Sequence, residues 1–313
     1  MRSAILFVTD KQGVDLAEHS VAVALLTQNT TRYLVFCVGF EPPSDNTLIR
    51  SGQKLGKLVE YRALVASRNL VEAYRSKGAH SHVSSAALLK MSAAWSLRSE
   101  FDRALYIDND VLLMKDFALD GLDFEGAPIA AVYDIAKVGG IGRGAEFHAR
   151  CRATGLSPHY FNSGVIAVNF SALTDAHVEL YQQALLRHFT NCSYEDNCTC
   201  DDQCAWNIAF RSDWKRLPLS HNFQACALFN DGWTDATARH YVGVQKFLPV
   251  KAWRNDRKDT SLIAEARVLL GREAIKKQSW DIARRLNIVR NAKMRRTADK
   301  ALAAVEQMYQ SAP

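Results

Sequence analysis

Ala104-Leu105-Tyr106-Ile107-Asp108-Asn109-Asp110-Val111-Leu112-Leu113-Met114 is the stretch on which the reading of this chain turns. An apolar run of this kind suits a strand buried on both faces, and it leads straight into two carboxylates one residue apart. Side chains alternate along an extended segment, so Asp108 and Asp110 are expected on the same side of the backbone. Two anions held that close repel unless a cation lies between them. This points to a divalent metal at the carboxyl end of a strand, where open α/β sheets bind their ligands. Asp-x-Asp is short enough to arise by chance, and a polar turn between two apolar segments is the competing reading.

On either side of that stretch, strand-like and helix-like runs alternate over the first two hundred or so residues, the pattern of an α/β sheet with crossover helices. Residues 4–9, 31–38, 129–133 and 165–170 read as strands. Residues 14–28, 55–76, 84–98, 174–190 and 202–211 read as helices. Residues 41–53, rich in Pro, Ser and Asn, read as a loop, and the glycine-rich run 139–144 reads as a mobile loop without the strand-to-helix setting of a phosphate cradle. From about residue 260 the pattern turns helical and basic. A main domain over 1–258 and a helical extension over 259–313 are therefore expected.

The chain has 313 residues, 48% hydrophobic and 23% charged, which is ordinary globular usage and excludes disordered and membrane-embedded classes. The formal net charge of +6 is unevenly placed, because Ile275–Lys300 carries nine Lys or Arg against Asp281 and Asp299. A chain-wide case for nucleic-acid binding therefore fails. Ile282, Leu286 and Val289 share one helical face in that tail, with Trp280 nearby. The tail is expected either to pack on the main domain or to make a peripheral contact with an anionic membrane surface. The apolar run Ala4–Val8 reads as a first core strand and not as a secretory signal, so a cytoplasmic protein is expected, with the inner membrane face as the alternative location.

More blocks join the acidic stretch: Leu89-Lys90-Met91 upstream, then Phe161-Asn162-Ser163-Gly164-Val165-Ile166, Asp202-Gln203 with Trp206-Asn207, and His240-Tyr241-Val242-Gly243 followed by Lys246. In this order, over roughly residues 4–250, the set resembles the family 8 glycosyltransferases, which include glycogenin and the bacterial lipooligosaccharide hexosyltransferases. The resemblance implies a GT-A-type, Rossmann-like α/β fold with a mixed, mainly parallel central sheet. It also implies transfer of a hexose from a nucleotide sugar, UDP-glucose or UDP-galactose, to a glycan, lipid-linked or protein acceptor with retention. By the same resemblance Asp108, Asp110 and His240 hold Mn(II), with Mg(II) as the alternative ion. Lys246 and Gly243 lie at the donor phosphates, Lys90 matches a donor-contacting lysine, and Thr9, Asp10 and Gln12 lie at the uridine. Asn109, Asp134, Asn162 and Ser163 complete the donor pocket, and Gln203 and Asp202 are the catalytic candidates nearest the anomeric carbon. The implied partners are the donor and its acceptor, without nucleic acid.

The residue types suit that chemistry. Breaking the bond between an anomeric carbon and a diphosphate requires stabilisation of charge on the leaving group, which a metal and a lysine supply. Gly243 would let backbone approach the phosphates closely. The competing readings are a satisfied core histidine at His240, a helix cap at Asp202 and a solvated lysine at Lys246. A sugar-nucleotide pyrophosphorylase, or a non-catalytic nucleotide-sugar or zinc-dependent binding module, are the alternative functions. Four cysteines, Cys192, Cys198, Cys200 and Cys204, fall in a C-x5-C-x-C-x3-C spacing that matches no standard zinc pattern. Disulfides, structural Zn(II) and reduced thiols all remain open.

Overall fold

The structure is a computed structural model and describes residues 1–65, 72, 86–142, 144–194, 198, 201–211, 213–243, 246–251, 255–273 and 288–311. Its strands are β1 (Ser3–Asp10), β2 (Arg32–Val38), β3 (Leu58–Leu64), β4 (Arg103–Ile107), β5 (Val111–Leu113), β6 (Ile129–Tyr133), β7 (Phe161–Asn169), β8 (Lys215–Arg216), β9 (Phe223–Gln224) and β10 (Ala238–His240). The helices are α1 (Val14–Thr27), α2 (Thr47–Lys54), α3 (Lys90–Ser96), α4 (Ile135–Val138), α5 (Gly144–Thr154), α6 (Asp175–Thr190), α7 (Asp201–Phe210), α8 (Gly232–Asp235), α9 (Arg257–Leu269) and α10 (Ile288–Ser311).

Seven strands form the central sheet in the order β3-β2-β1-β4-β7-β6-β8. Pairing is parallel throughout except at β7, which runs antiparallel to both β4 and β6. The apolar runs are continuous because both faces of the sheet are covered. Ala4, Leu6, Val8, Ala104 and Tyr106 join one core cluster, while Ile5, Phe7, Leu105 and Ile107 join the other. Each fully buried Leu, Ile or Phe contributes on the order of 1.5–3 kcal/mol. A second sheet, β5-β10-β9, sits beside the carboxyl end of β4 and brings the late part of the chain to the acidic stretch.

Two expectations give way here. Residues 58–64, read within a helix, form the edge strand β3, paired in parallel register with β2 from Arg32↔Leu58 to Val38↔Leu64. Its alternating charged residues are edge chemistry, since Arg62 bonds Glu60 and Glu100, and Glu60 also bonds Arg32. Residues 66–71 and 73–76 of that expected helix lie outside the described residues. Residues 47–53, read as loop, belong to α2: Asn46 caps it by accepting from the Ile49 N–H at 2.9 Å, and Leu48 is buried. The expected helix over 84–98 is confined to a 3-10 turn at Ala87–Leu89 followed by α3, and its first two positions lie outside the described residues.

The late helices pack on this sheet assembly. Ile263 and Ala266 of α9 are buried, and the helix lies against α1. Among the described side chains of α10, Ala298, Ala301, Leu302 and Val305 are buried, while Lys293, Arg295, Arg296 and Lys300 are exposed. A Cβ added at Gly139 would come within 2.6 Å of the Ala301 Cβ, so part of the glycine-rich run is where α10 seats. Trp280, Ile282 and Leu286 lie outside the described residues, as does the side chain of Val289. Among the described residues, no helix is long and apolar enough to cross a membrane.

Candidate active site

The carboxyl end of β4 does not continue extended into β5. The Val111 N–H donates to the Asp108 carbonyl at 3.1 Å, so Asp108–Val111 is a turn, and it is this turn that brings the two carboxylates together. Strand alternation, one expectation from sequence, gives way to the acidic turn between two strands that the sequence also suggested over 104–114. His240 arrives from the other sheet, where register sets His240 against Val111 and the Tyr241 N–H donates to the Asp110 carbonyl at 2.9 Å. Asp108, Asp110 and His240 thus offer three ligand atoms within 4.8 Å of one another. His240 Nε2 lies 3.3 Å from Asp110 Oδ1 and 3.9 Å from Asp108 Oδ2.

The orientation of that imidazole can be followed from one backbone group. The Gly164 N–H donates to Asn162 Oδ1 at 3.0 Å, which makes this atom the acceptor for Asn222 Nδ2 at 2.9 Å. Asn222 therefore turns its own Oδ1 to His240 Nδ1, 3.1 Å away. Nδ1 then carries a proton, and Nε2 is the ring nitrogen directed at the two aspartates, where a metal ligand must point. The ring fits only because residue 164 is glycine: a Cβ there would lie 2.1 Å from His240 Cε1. The same residue's carbonyl accepts from the Asp108 N–H at 2.8 Å.

Two lysines balance the acids. Lys90, at the start of α3 and almost fully buried, lies 2.9 Å from Asp108 and 2.8 Å from Asp202. Burial disfavours its charge, but the two carboxylates outweigh burial and hold its pKa above the usual lysine range. Lys246 pairs with Asp110. Burial pushes the Asp110 carboxyl up, and His240 and Lys246 more than reverse this, holding it well below the usual range. Tyr106, buried and kept protonated by burial and by Asp108, donates its hydroxyl to Asp108.

The expected sugar-pocket residues form one buried network. Gln203 Oε1 accepts from Asn162 Nδ2 at 2.9 Å and from the Ser163 N–H at 3.2 Å, which directs its Nε2 to Asp134 Oδ2 at 2.9 Å. Asp134 also caps α4 by accepting from the Lys137 N–H at 2.8 Å. Asp202 lies in the first turn of α7, one residue past its start, and accepts from Ser163 Oγ at 3.0 Å in addition to holding Lys90. Its side chain therefore works across to β7 and α3. Asn162, Ser163 and Gly164 are within β7 itself, which begins four residues earlier than the expected strand.

The expected uridine-side residues lie at the end of β1. Thr9 is fully buried, and Asp10 Oδ1 accepts from the N–H groups of Gln12 at 3.1 Å and Gly13 at 2.9 Å. Gln12 itself is exposed. Asn109 joins this end to the acidic turn by donating Nδ2 to the Val8 carbonyl at 3.1 Å, and its Oδ1 is buried without a hydrogen-bond partner among the described residues. Gly243 has φ +74°, with open space where a Cβ would stand, so what requires glycine there is backbone conformation. Sequence reasoning missed Asn222 and the steric role of Gly164. Asn222 lies 18 residues before His240 in no motif, so local pattern carries no signal for it.

The family model described as Glycosyl transferase family 8 matches residues 6–256. Comparison with curated protein sequences returns no match. Among solved structures, the chain is similar to the galactosyltransferase LgtC in complex with donor and acceptor sugar analogs, with TM-score 0.60 and 16% identity, covering 88% of this chain and 98% of that one. It is similar to the WbbM bifunctional glycosyltransferase, with TM-score 0.60 and 16% identity over 87% of this chain, and spans 52% of that larger protein. The glycosyltransferase GlyE of Streptococcus pneumoniae TIGR4 gives TM-score 0.55 and 17% identity, covering 89% of this chain and 67% of its own. These likenesses show a shared GT-A-type fold. The family match covers most of the chain, so the protein belongs to glycosyl transferase family 8 and is a glycosyltransferase acting on a nucleotide sugar.

Proposed function

We propose that the protein transfers a hexose from a UDP-hexose to a saccharide, lipid-linked or protein acceptor, with retention, using Mn(II) held by Asp108, Asp110 and His240. The observation that carries this reading is the bond chain from the Gly164 N–H through Asn162 and Asn222 to His240, which aims Nε2 at two carboxylates. Two carboxylates and one imidazole suit Mn(II) better than Mg(II), which prefers an all-oxygen shell. When bound, the ion supplies Lewis acidity at the departing diphosphate.

The chain's own residues do the rest. Lys246 and Lys90 bring fixed positive charge to the phosphate side, and with an ion held by Asp110, Lys246 would be released to pair with the diphosphate. Asn109 ties the acidic turn to the end of β1, where the donor nucleoside would lie, through its bond to the Val8 carbonyl. Asp134, Asn162 and Gln203 face the sugar as one preorganised polar wall, with Gln203 and Asp202 nearest the anomeric carbon.

The test is a melting experiment followed by a turnover assay. UDP should raise the melting temperature with Mn(II) and lose that effect with chelator, because ion and diphosphate share the site. UDP-glucose or UDP-galactose should be hydrolysed slowly only with the ion present. Equal stabilisation by UDP under chelation would refute the metal assignment, and binding without any turnover would favour a non-catalytic module.

A further inference from the structure

A second ligand cluster lies outside the donor site. We propose that His188, Cys192, Cys198 and Cys204 form a structural zinc centre that locks the start of α7 in place. Their four ligand atoms lie within 4.8 Å of one another, and all four residues are buried. The Cys204 sulfur is 3.7 Å from that of Cys192 and 3.6 Å from that of Cys198. Sulfurs bound about 2.3 Å from a tetrahedral zinc are separated by about 3.8 Å along each edge, so the spacing is that of ligands sharing one ion. A disulfide would need about 2.05 Å.

The membership differs from the all-cysteine set considered from sequence. Cys200 lies outside the described residues, and the nitrogen ligand comes from His188 in the last turn of α6. The resulting H-x3-C-x5-C-x5-C spacing is unremarkable as a motif, because two of the ligands come from the facing ends of α6 and α7, which pack together. The sulfurs also have donors around them. Tyr160 Oη lies 3.0 Å from Cys204 Sγ, and the Tyr194 N–H donates to Cys192 Sγ at 3.4 Å. Hydrogen bonds to ligand sulfurs are the usual outer support of a thiolate centre.

Donor chemistry separates this centre from the acidic one. Three thiolates and an imidazole select zinc over Mn(II) or Mg(II), and four protein ligands leave no open position for water or substrate. The role is therefore structural. Tyr194 packs against Phe147 and Tyr160, and Cys192 and Cys198 are buried with it, so an ion would add covalent-strength ligation to a segment already seated on the core. Cys204 directly follows Asp202 and Gln203, so a bound ion would fix the first turn of the helix that carries both. The inference goes beyond the donor reading and stands apart from it.

The test uses the full-length protein purified without chelator. Elemental analysis should find about one zinc per chain, released to a colorimetric chelator when the thiols are titrated with an organomercurial. Exchange with Co(II) should give thiolate-to-metal charge-transfer absorption and the visible bands of a tetrahedral centre. Cys198→Ser and His188→Ala should lower the zinc content and the melting temperature, whereas Asp110→Asn should keep the ion. Three results would overturn the proposal: a wild-type chain without zinc or the cobalt spectrum, a disulfide joining any of these cysteines in a non-reduced peptide map, or zinc lost in Asp110→Asn but kept in Cys198→Ser. Should the variants fail to fold, the wild-type cobalt spectrum alone carries the test.

Discussion

Gly164→Ala is the sharpest probe of how the acidic centre is built. The added methyl would stand 2.1 Å from His240 Cε1 and 2.7 Å from Nδ1, whereas ordinary contact begins near 3.4 Å. The ring or the strand must therefore retreat by about 1.3 Å. The ring has little room to do so, being 3% exposed and tied to Asn222, and β7 is held between β4 and β6. Metal centres tolerate ligand displacements of only about 0.2 Å, so the imidazole is lost as a ligand. Loss of a supporting hydrogen bond alone costs about 10–100-fold in metal affinity, so Mn(II) affinity should fall by at least about 100-fold. Overpacking should also lower stability by about 1–3 kcal/mol. Free Mn(II) can be followed by its electron paramagnetic resonance signal during titration, with circular dichroism confirming that the variant is folded. Gly121→Ala is the control, since a Cβ there meets nothing within 4 Å. A folded Gly164→Ala protein that binds Mn(II) as tightly as the wild type would refute the reasoning.

Asn222→Ala removes the group that orients His240, so Mn(II) affinity should drop by about 10–100-fold, with a loss of about 1–3 kcal/mol in stability because a buried imidazole N–H is left unpaired; an unchanged titration would count against the bond chain. Asp259→Ala should destabilise by about 3–5 kcal/mol in denaturant unfolding, because fully buried Arg239 lies 2.7 Å from Asp259 and would lose half of its carboxylate pairing. A loss under about 1 kcal/mol would mean that Asp256 alone suffices. Gly139→Ala should unseat α10 through Ala301 and cost about 1–3 kcal/mol, read as a fall in melting temperature; an unaltered melt would show that the helix gives way freely.

The sequence by itself determined most of the strand pattern of the core and the residue types that meet at the acidic centre. Apolar runs such as Ala4–Val8, Leu34–Val38 and Ala104–Ile107 are legible because burial on both faces leaves no alternation to misread. Asp108, Asp110 and His240 stood out because the chemistry demands those residue types, and the comparisons place the chain in the family that the motif order resembles. β3 was misread because an edge strand mixes charged and apolar residues in a way that also suits a helix, and α2 because its capping polar residues look like loop. Only the tertiary structure decided how the motifs meet. Asp108 and His240 are more than a hundred residues apart, and their approach depends on the register of β10 against β5 and on the absence of a side chain at Gly164. Asn222 on His240, Asp259 on Arg239 and His188 among the cysteines are likewise contacts between separate elements. Periodicity and propensity report what one residue does within its own element, whereas ligand geometry is set by the packing of elements against each other, which no local pattern encodes.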